Sequence, residues 1–90
     1  MKKCVSIDLS GKVQGVDFRN NTKKVANSLG IYGFVKNMPD GSVHIEAEGE
    51  EDKLQEFMDW CSKGPNAALV ENVEHEYIPE KNFQDFSIRY

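Results

Sequence analysis

Apolar and polar residues alternate along several segments of the chain, and this pattern predicts β-strands. In Cys4–Ser10 the apolar residues Val5, Ile7 and Leu9 alternate strictly with polar ones. An alternation of period two is typical of a strand with one buried face. Val70 interrupts a similar alternation in a later segment. The same reasoning predicts further strands over residues 31–38, 42–49, 68–78 and 86–90.

Two other segments carry apolar residues at spacings of three and four, which predicts amphipathic helices. The first helix follows the loop 11–17 and ends at Gly30, and the second begins at the acidic residues 50–52 and closes at Gly64-Pro65. Acidic residues suit the partial positive charge of a helix start, and glycine commonly ends a helix. The apolar faces consist of Phe18, Thr22, Val25, Ala26 and Leu29 in the first helix and Leu54, Phe57, Met58 and Cys61 in the second.

The order strand–helix–strand–strand–helix–strand, with a closing C-terminal strand, predicts an α+β fold. We expect a ferredoxin-like α/β plait, an antiparallel sheet with two helices on one face (βαββαβ plus a C-terminal strand). Right-handed crossovers make the first two strands parallel, with the third between them. The loop after the first strand and the turn at Pro39–Gly41 then lie at the same end of the sheet. Residues 1–90 are expected to form a single domain in which Arg19 and Asn37 share one cleft.

The loop over residues 11–17 is the first candidate site. It contains Gly11 and Gly15, and Arg19 follows it at the start of the first helix. A cation at a helix N-terminus is unfavourable unless an anion binds between it and the loop amides. Glycines allow close approach of backbone N–H groups to a ligand, and the guanidinium fork matches phosphate oxygens. We interpret the loop as a phosphate or carboxylate site, although the residues alone fit an ordinary turn with a surface arginine equally well.

Asn37, just before the turn, is the second candidate. A side-chain amide carries both a donor and an acceptor, and it can orient a water molecule toward an electrophile. Taken alone, an asparagine at this place more often hydrogen-bonds the backbone of the turn. The expected proximity to Arg19 favours the functional interpretation.

Composition and charge narrow the classes of function. With 90 residues and a formal net charge of −4, the chain lacks the basic balance expected of a nucleic-acid-binding protein. No apolar stretch approaches the roughly 20 residues of a membrane-spanning helix, and the N-terminus does not lead into the apolar segment of a signal peptide. Cys4 and Cys61 form no Cys-x-x-Cys pair. We expect them to be unpaired thiols in a reducing cytoplasm.

Histidines and carboxylates add no further catalytic signal. His44 and His75 lie in strand patterns with no nucleophile in view, so surface or packing roles are expected. The acidic run formed by Glu46, Glu48 and residues 50–52 is interpreted as a solvated strand edge and a helix start rather than a metal site. The sequence therefore predicts neither a metal nor a cofactor.

Two motifs make the chain resemble the acylphosphatase family. The run GKVQGVDFR at residues 11–19 matches the phosphate-loop signature of that family, and LGIYGFVKNMPDGSV at residues 29–43 matches its second motif. Gly64-Pro65 and the closing Phe86-x-Ile88-x-Tyr90 also fit, so the resemblance spans nearly the whole chain. Asp17 departs from the pattern, because this position is often glycine. Its carboxylate is expected to turn outward or to cap the first helix.

The resemblance implies metal-free hydrolysis of the carboxyl–phosphate bond of acyl phosphates, which gives a carboxylate and inorganic phosphate. It implies that Arg19 and Asn37 are catalytic, the first acting on the phosphoryl group and the second on the attacking water. The expected partner is a small-molecule acyl phosphate, with no nucleic acid and no membrane, and the expected state is a monomer. The phosphate-binding residues implied are Gly15, Val16, Asp17, Phe18 and Arg19.

Two other classes of function are compatible with this fold. A non-catalytic anion-binding module would bind phosphate without turnover. An RNA-binding domain can have the same order of elements, but it needs exposed aromatic residues and a basic face on its sheet. The third strand instead carries Val43, His44, Ile45 and Glu46, which disfavours the RNA-binding class.

Overall fold

The helices and strands follow the order predicted from the sequence. A computed structural model describes all residues from Met1 to Tyr90. The boundaries lie within two residues of the predicted ones. The elements are β1 (Lys2–Lys12), α1 (Phe18–Ser28), β2 (Tyr32–Asn37), β3 (Val43–Glu50), α2 (Glu51–Lys63), β4 (Leu69–Ile78) and β5 (Phe86–Arg89).

The five strands form one sheet in the order β4-β1-β3-β2-β5. As predicted, β3 lies between β1 and β2 and pairs antiparallel with both, and β4 pairs antiparallel with β1. However, β5 pairs parallel with β2, so the sheet is mixed and the expectation of a wholly antiparallel sheet is wrong in this respect. The reason lies in the chain path, because the segment 79–85 crosses from one edge of the sheet to the other at the end where β2 also starts.

Both helices cover one face of the sheet and bury a single apolar core. α1 packs over β2 and β5, and α2 packs over β1, β3 and β4. The buried cluster takes the inward residues of the strands together with the predicted helical faces. Within it the ring of Phe57 on α2 lies edge-on to that of Phe86 on β5, with 6.0 Å between the centroids. Neither helix is long and apolar enough to cross a membrane.

The opposite face of the sheet is covered in part by the segment 79–85. Glu48 on β3 is 1% exposed and accepts hydrogen bonds from the backbone N–H groups of Lys81, Asn82 and Phe83. Glu46 accepts a bond from Lys81 Nζ at 2.6 Å. The expectation that these two glutamates line a solvated strand edge is therefore wrong, because β3 is a central strand and a later segment lies over it.

The irregularity at Val70 has a structural cause. The pairing of β1 with β4 shifts between Ser10 and Gly11, and the shift leaves an extra residue on β4. Gly11 has a φ of 119°, and a Cβ there would lie 2.3 Å from the carbonyl oxygen of Leu69. Gly11 therefore belongs to β1, where it permits close strand pairing, and it is not part of the loop predicted over residues 11–17.

Candidate active site

The loop between β1 and α1 presents a run of unpaired backbone N–H groups. Gly15 and Asp17 have φ values of 75° and 58°, which turn the chain sharply into α1. The first hydrogen bond of the helix runs from the N–H of Asn21 to the carbonyl of Asp17 at 3.2 Å. The N–H groups from Gly15 to Asn20 donate no hydrogen bond within the protein. Unpaired N–H groups at a helix start attract anions.

Arg19 adds a permanent positive charge to the same place. It lies in the first turn of α1, which contains no acidic residue. No carboxylate lies within ion-pair distance of its guanidinium. The guanidinium stacks over the ring of Tyr90, with 4.7 Å between the guanidinium carbon and the ring centroid. One face of the fork is thus held by an aromatic ring, while its N–H donors remain available for a ligand.

Asn37 ends β2 and does not perform the turn-stabilising role that is its ordinary alternative. The side-chain hydrogen bonds of the turn come from Gln14 and from Asp40, whose Oδ1 accepts bonds from Ser42. Those bonds lower the pKa of Asp40. The Oδ1 atom of Asn37 is buried and accepts no hydrogen bond. A buried acceptor without a partner is unfavourable, and such atoms in a native fold call for an explanation.

Gln14 joins the loop to the turn. Its Nε2 donates to the carbonyl of Met38 at 2.9 Å and to the carbonyl of Ser42 at 2.8 Å. The same two residues close the turn through a bond from the N–H of Met38 to the carbonyl of Ser42. Sequence reasoning did not single out Gln14, although it lies inside the loop motif. Its two bonds fix the distance between the loop and the end of β2 where Asn37 lies.

Arg19, Asn37 and part of the loop line one cavity of about 310 Å³, whereas Gln14 does not. Five residues predicted from the sequence lie in its wall: Gly15, Asp17, Phe18, Arg19 and Asn37. The topology thus brings Arg19 and Asn37 together as predicted. Val16 is not in the wall, and its side chain packs against the core. The remaining lining residues, Val13, Asn20, Ile88 and Tyr90, were not predicted, because their places depend on side-chain direction and on how β5 closes the sheet.

Asp17 lies at the cavity and does not cap α1 through its side chain. Its position precedes the helix, but no side-chain capping bond is present. Its Oδ1 accepts a hydrogen bond from Nδ2 of Asn20 at 2.6 Å. Of the two placements expected for Asp17, the side-chain cap is therefore wrong, and its exposed carboxylate is hydrogen-bonded to another lining residue.

The cysteines and histidines of the chain do not line this cavity. Cys4 and Cys61 are free and buried, and burial raises the pKa of both thiols, which disfavours the reactive thiolate. Nδ1 of His44 lies 2.8 Å from Asp8 on the sheet face away from the helices, and His75 is exposed on β4. No group of three or more His, Cys, Asp or Glu side chains is placed to hold a metal ion.

Comparisons with known proteins identify the class to which this fold and cavity belong. The acylphosphatase family model matches residues 5–88. The acylphosphatase of Thermotoga maritima is 49% identical over 88 residues, which covers 98% of each chain. A solved acylphosphatase structure from Coxiella burnetii has a TM-score of 0.95 at 40% identity and covers 98% of this chain and 93% of its own. The structure from Bacillus subtilis has a TM-score of 0.95 at 34% identity over 100% of both chains.

The fold is therefore the α/β plait that the sequence predicts. The chain belongs to the acylphosphatase family, and it is an enzyme.

Proposed function

We propose that this enzyme hydrolyses the carboxyl–phosphate bond of acyl phosphates, and that Arg19, Asn37 and the loop amides carry the reaction. The substrate would be a small molecule, because the cavity of about 310 Å³ lies at the lower end of small-molecule sites. The products are a carboxylate and inorganic phosphate. No metal or cofactor is assigned a role.

One observation carries this assignment. A single cavity is lined by residues with unpaired backbone N–H groups, by Arg19, whose guanidinium has no ion pair, and by Asn37, whose buried amide oxygen accepts no hydrogen bond. The first two groups match the oxygens of a phosphoryl group. The third is an acceptor, so it needs a donor such as the O–H of a water molecule and not a phosphate oxygen.

The reaction then needs positioning and charge stabilisation more than acid–base groups. The N–H groups from Gly15 to Arg19 and the guanidinium bind the phosphoryl oxygens. Asn37 orients a water molecule whose oxygen attacks phosphorus while the bond to the acyl oxygen breaks. The leaving carboxylate is stable without protonation, and a phosphoryl oxygen of the substrate takes the proton that the water loses. Phosphoryl transfer depends mainly on such positioning and electrostatic stabilisation.

Hydrolysis of benzoyl phosphate in the presence of EDTA tests the proposal. We expect turnover by the parent enzyme. Arg19→Ala removes a charged donor that binds both ground and transition states, so kcat/KM is expected to fall at least about 100-fold with a raised KM. Asn37→Ala removes the water-orienting group, so kcat is expected to fall about 100-fold with KM near that of the parent.

Two matched variants control for loss of structure. Arg89→Ala removes an arginine from β5 whose guanidinium stacks on Phe34 at 3.9 Å and does not line the cavity. Asn27→Ala removes an exposed amide on α1. Both are expected to retain activity. A folded parent that binds inorganic phosphate but does not turn over benzoyl phosphate would contradict the proposal and favour a non-catalytic binding module.

We further propose that the enzyme is a monomer in the cytoplasm that binds neither nucleic acid nor membranes. The free thiols of Cys4 and Cys61 suit a reducing compartment. The net charge of −4 disfavours nucleic acid as a partner. Light scattering on the purified protein measures the oligomeric state, and a dimer mass would contradict the first part of this proposal.

A further inference from the structure

The mouth of the cavity carries one negative side chain. Among the lining residues, Val13 and Phe18 are buried, whereas Gly15, Asp17, Asn20 and Tyr90 are exposed. The exposed residues therefore form the mouth, and Asp17 is the only acidic residue in the lining. No Lys, Arg or His nitrogen lies within ion-pair distance of its carboxylate.

The carboxylate of Asp17 also has a hydrogen-bond partner at the mouth. The hydrogen bond from Asn20 Nδ2 to Asp17 Oδ1 is 2.6 Å long and joins two residues of the mouth. The backbone of Asp17 lies in the left-handed region, at φ 58° and ψ 29°, where glycine is favoured. The side chain forms no helix cap in return. Strain of this kind at a functional site points to a functional cause.

The position of the charge defines what it would act on. If the N–H groups and Arg19 bind the phosphoryl group, the acyl group must extend toward the mouth. The other lining residues near its path are Asp17, Asn20, Tyr90 and Ile88, whose side chains end in a carboxylate, an amide, a phenol ring and an alkyl group. Apart from Asp17 these groups are uncharged. Arg19 is the one cation of the lining, and it binds the phosphoryl group, so no cation is left to interact with the acyl group.

We propose that Asp17 is a specificity-determining residue that disfavours acyl phosphates with a negatively charged acyl group. The substrate class is then acyl phosphates with an uncharged acyl group. This inference rests on the proposed hydrolytic function. The repulsion acts through solvent at the mouth, so it is a modest effect that weakens as salt is added.

Two substrates of the same shape test the inference. The kcat/KM values are measured for 4-carbamoylbenzoyl phosphate and 4-carboxybenzoyl phosphate, which differ in the charge of the distal group. The readout is the ratio of kcat/KM for the neutral substrate to kcat/KM for the charged one. Asp17→Asn removes the charge, keeps the size of the side chain and tolerates the left-handed backbone. We expect this variant to lower the ratio about threefold at low ionic strength and by less at high salt.

Glu80→Gln is the matched control. It also removes one negative charge, but Glu80 lies after β4 near Lys2, at the end of β1 remote from the loop. We expect it to leave the ratio unchanged. An unchanged ratio in Asp17→Asn, or an equal decrease in both variants, would overturn the role of Asp17 while leaving the hydrolytic function intact. Absence of turnover of benzoyl phosphate and both test substrates by the folded parent would instead overturn the function and this inference with it.

Discussion

Replacing Glu48 with glutamine tests how the segment 79–85 is held on the sheet. Oε2 of Glu48 accepts bonds from the N–H groups of Lys81 at 2.8 Å and Asn82 at 3.2 Å, and Oε1 accepts one from Phe83 at 2.9 Å. This segment leads into β5, which contributes Ile88 to the cavity wall. The carboxylate therefore attaches the segment 79–85 to the sheet, and this segment positions β5 at the active site.

The size of the effect follows from these bonds. In Glu48→Gln the amide oxygen can replace Oε2, but the amide NH₂ group then faces the N–H of Phe83, and that bond is lost. The two remaining bonds become neutral ones. Bonds to a charged group contribute about 1.5–3 kcal/mol each, and the glutamine avoids the unfavourable burial of a charge. We expect a loss of about 2 kcal/mol in the free energy of unfolding, and about 4 kcal/mol for Glu48→Ala, which leaves every donor unpaired.

The pH dependence gives an independent check on the charge. Burial opposes the charged form of Glu48, but the backbone donors outweigh it and hold its pKa below the ordinary value of 4.5. Because the pKa of the folded state is lowered, the stabilisation is fully present above 4.5 and is lost as the pH falls through the folded-state value. Since glutamine does not titrate, the difference in the free energy of unfolding between the parent and Glu48→Gln should decrease over that acidic range.

Urea unfolding followed by the fluorescence of Trp60 measures these differences. Trp60 packs against Phe18 at 5.7 Å between ring centroids, so its signal reports on the core. Glu76→Gln is the control, because this exposed glutamate on β4 makes no ion pair, and it should change stability by less than about 0.5 kcal/mol. The reasoning is refuted if Glu48→Gln and the parent have the same urea midpoint of unfolding. It is also refuted if their difference in the free energy of unfolding stays constant as the pH falls.

Three further outcomes are expected. Gln14→Glu keeps the shape of the side chain but sets a carboxylate against two carbonyls, so kcat should fall about tenfold. This decrease should vanish in an Asn37→Ala background, and additive losses would show that Gln14 does not act through Asn37. Gly33→Ala places a Cβ 1.8 Å from the backbone of β3 and should cost more than about 3 kcal/mol in urea unfolding, whereas Gly49→Ala, with its nearest contact at 3.3 Å, should fold. Equal stability of the two glycine variants would contradict the close packing of the strands. Both cysteines should resist a thiol reagent in the native protein and react once it is unfolded, and rapid labelling of the native enzyme would contradict their burial.

The fold was predictable where a local pattern decides the structure. The alternation of Val5, Ile7 and Leu9 corresponds to residues with no solvent exposure, and the predicted helical faces are the buried ones. Glu48 shows where such patterns stop being informative. Its place in the alternation correctly puts it on the face away from the helices, but a segment more than 30 residues later covers that face. The parallel direction of β5 depends on the same long connection, and no local pattern encodes it.

The candidate site was predictable in part for a related reason. The right-handed crossover is a general rule of strand connection, and it suffices to bring Arg19 and Asn37 to the same end of the sheet. The contact between Gln14 and the turn, the bond between Asn20 and Asp17 and the stacking of Tyr90 on Arg19 depend on side-chain conformations. Those conformations are set by the packing of the whole fold, so the sequence pattern alone does not predict them.

Three local features of the cavity are unfavourable when each is considered alone. Asp17 adopts a left-handed backbone, Arg19 puts a cation where the helix dipole is already positive, and Asn37 buries an acceptor without a donor. Outside the cavity, Asn82 also adopts a left-handed backbone, and the buried carboxylate of Glu48 has three backbone donors. Departures from local preference are expected at functional sites, and in the cavity two of them would be relieved by the reactants, since a phosphoryl anion favours the cation and a water molecule supplies the missing donor. The left-handed backbone of Asp17 is the exception, because neither reactant relieves it, and the role proposed for its carboxylate concerns the choice of acyl group rather than the chemistry.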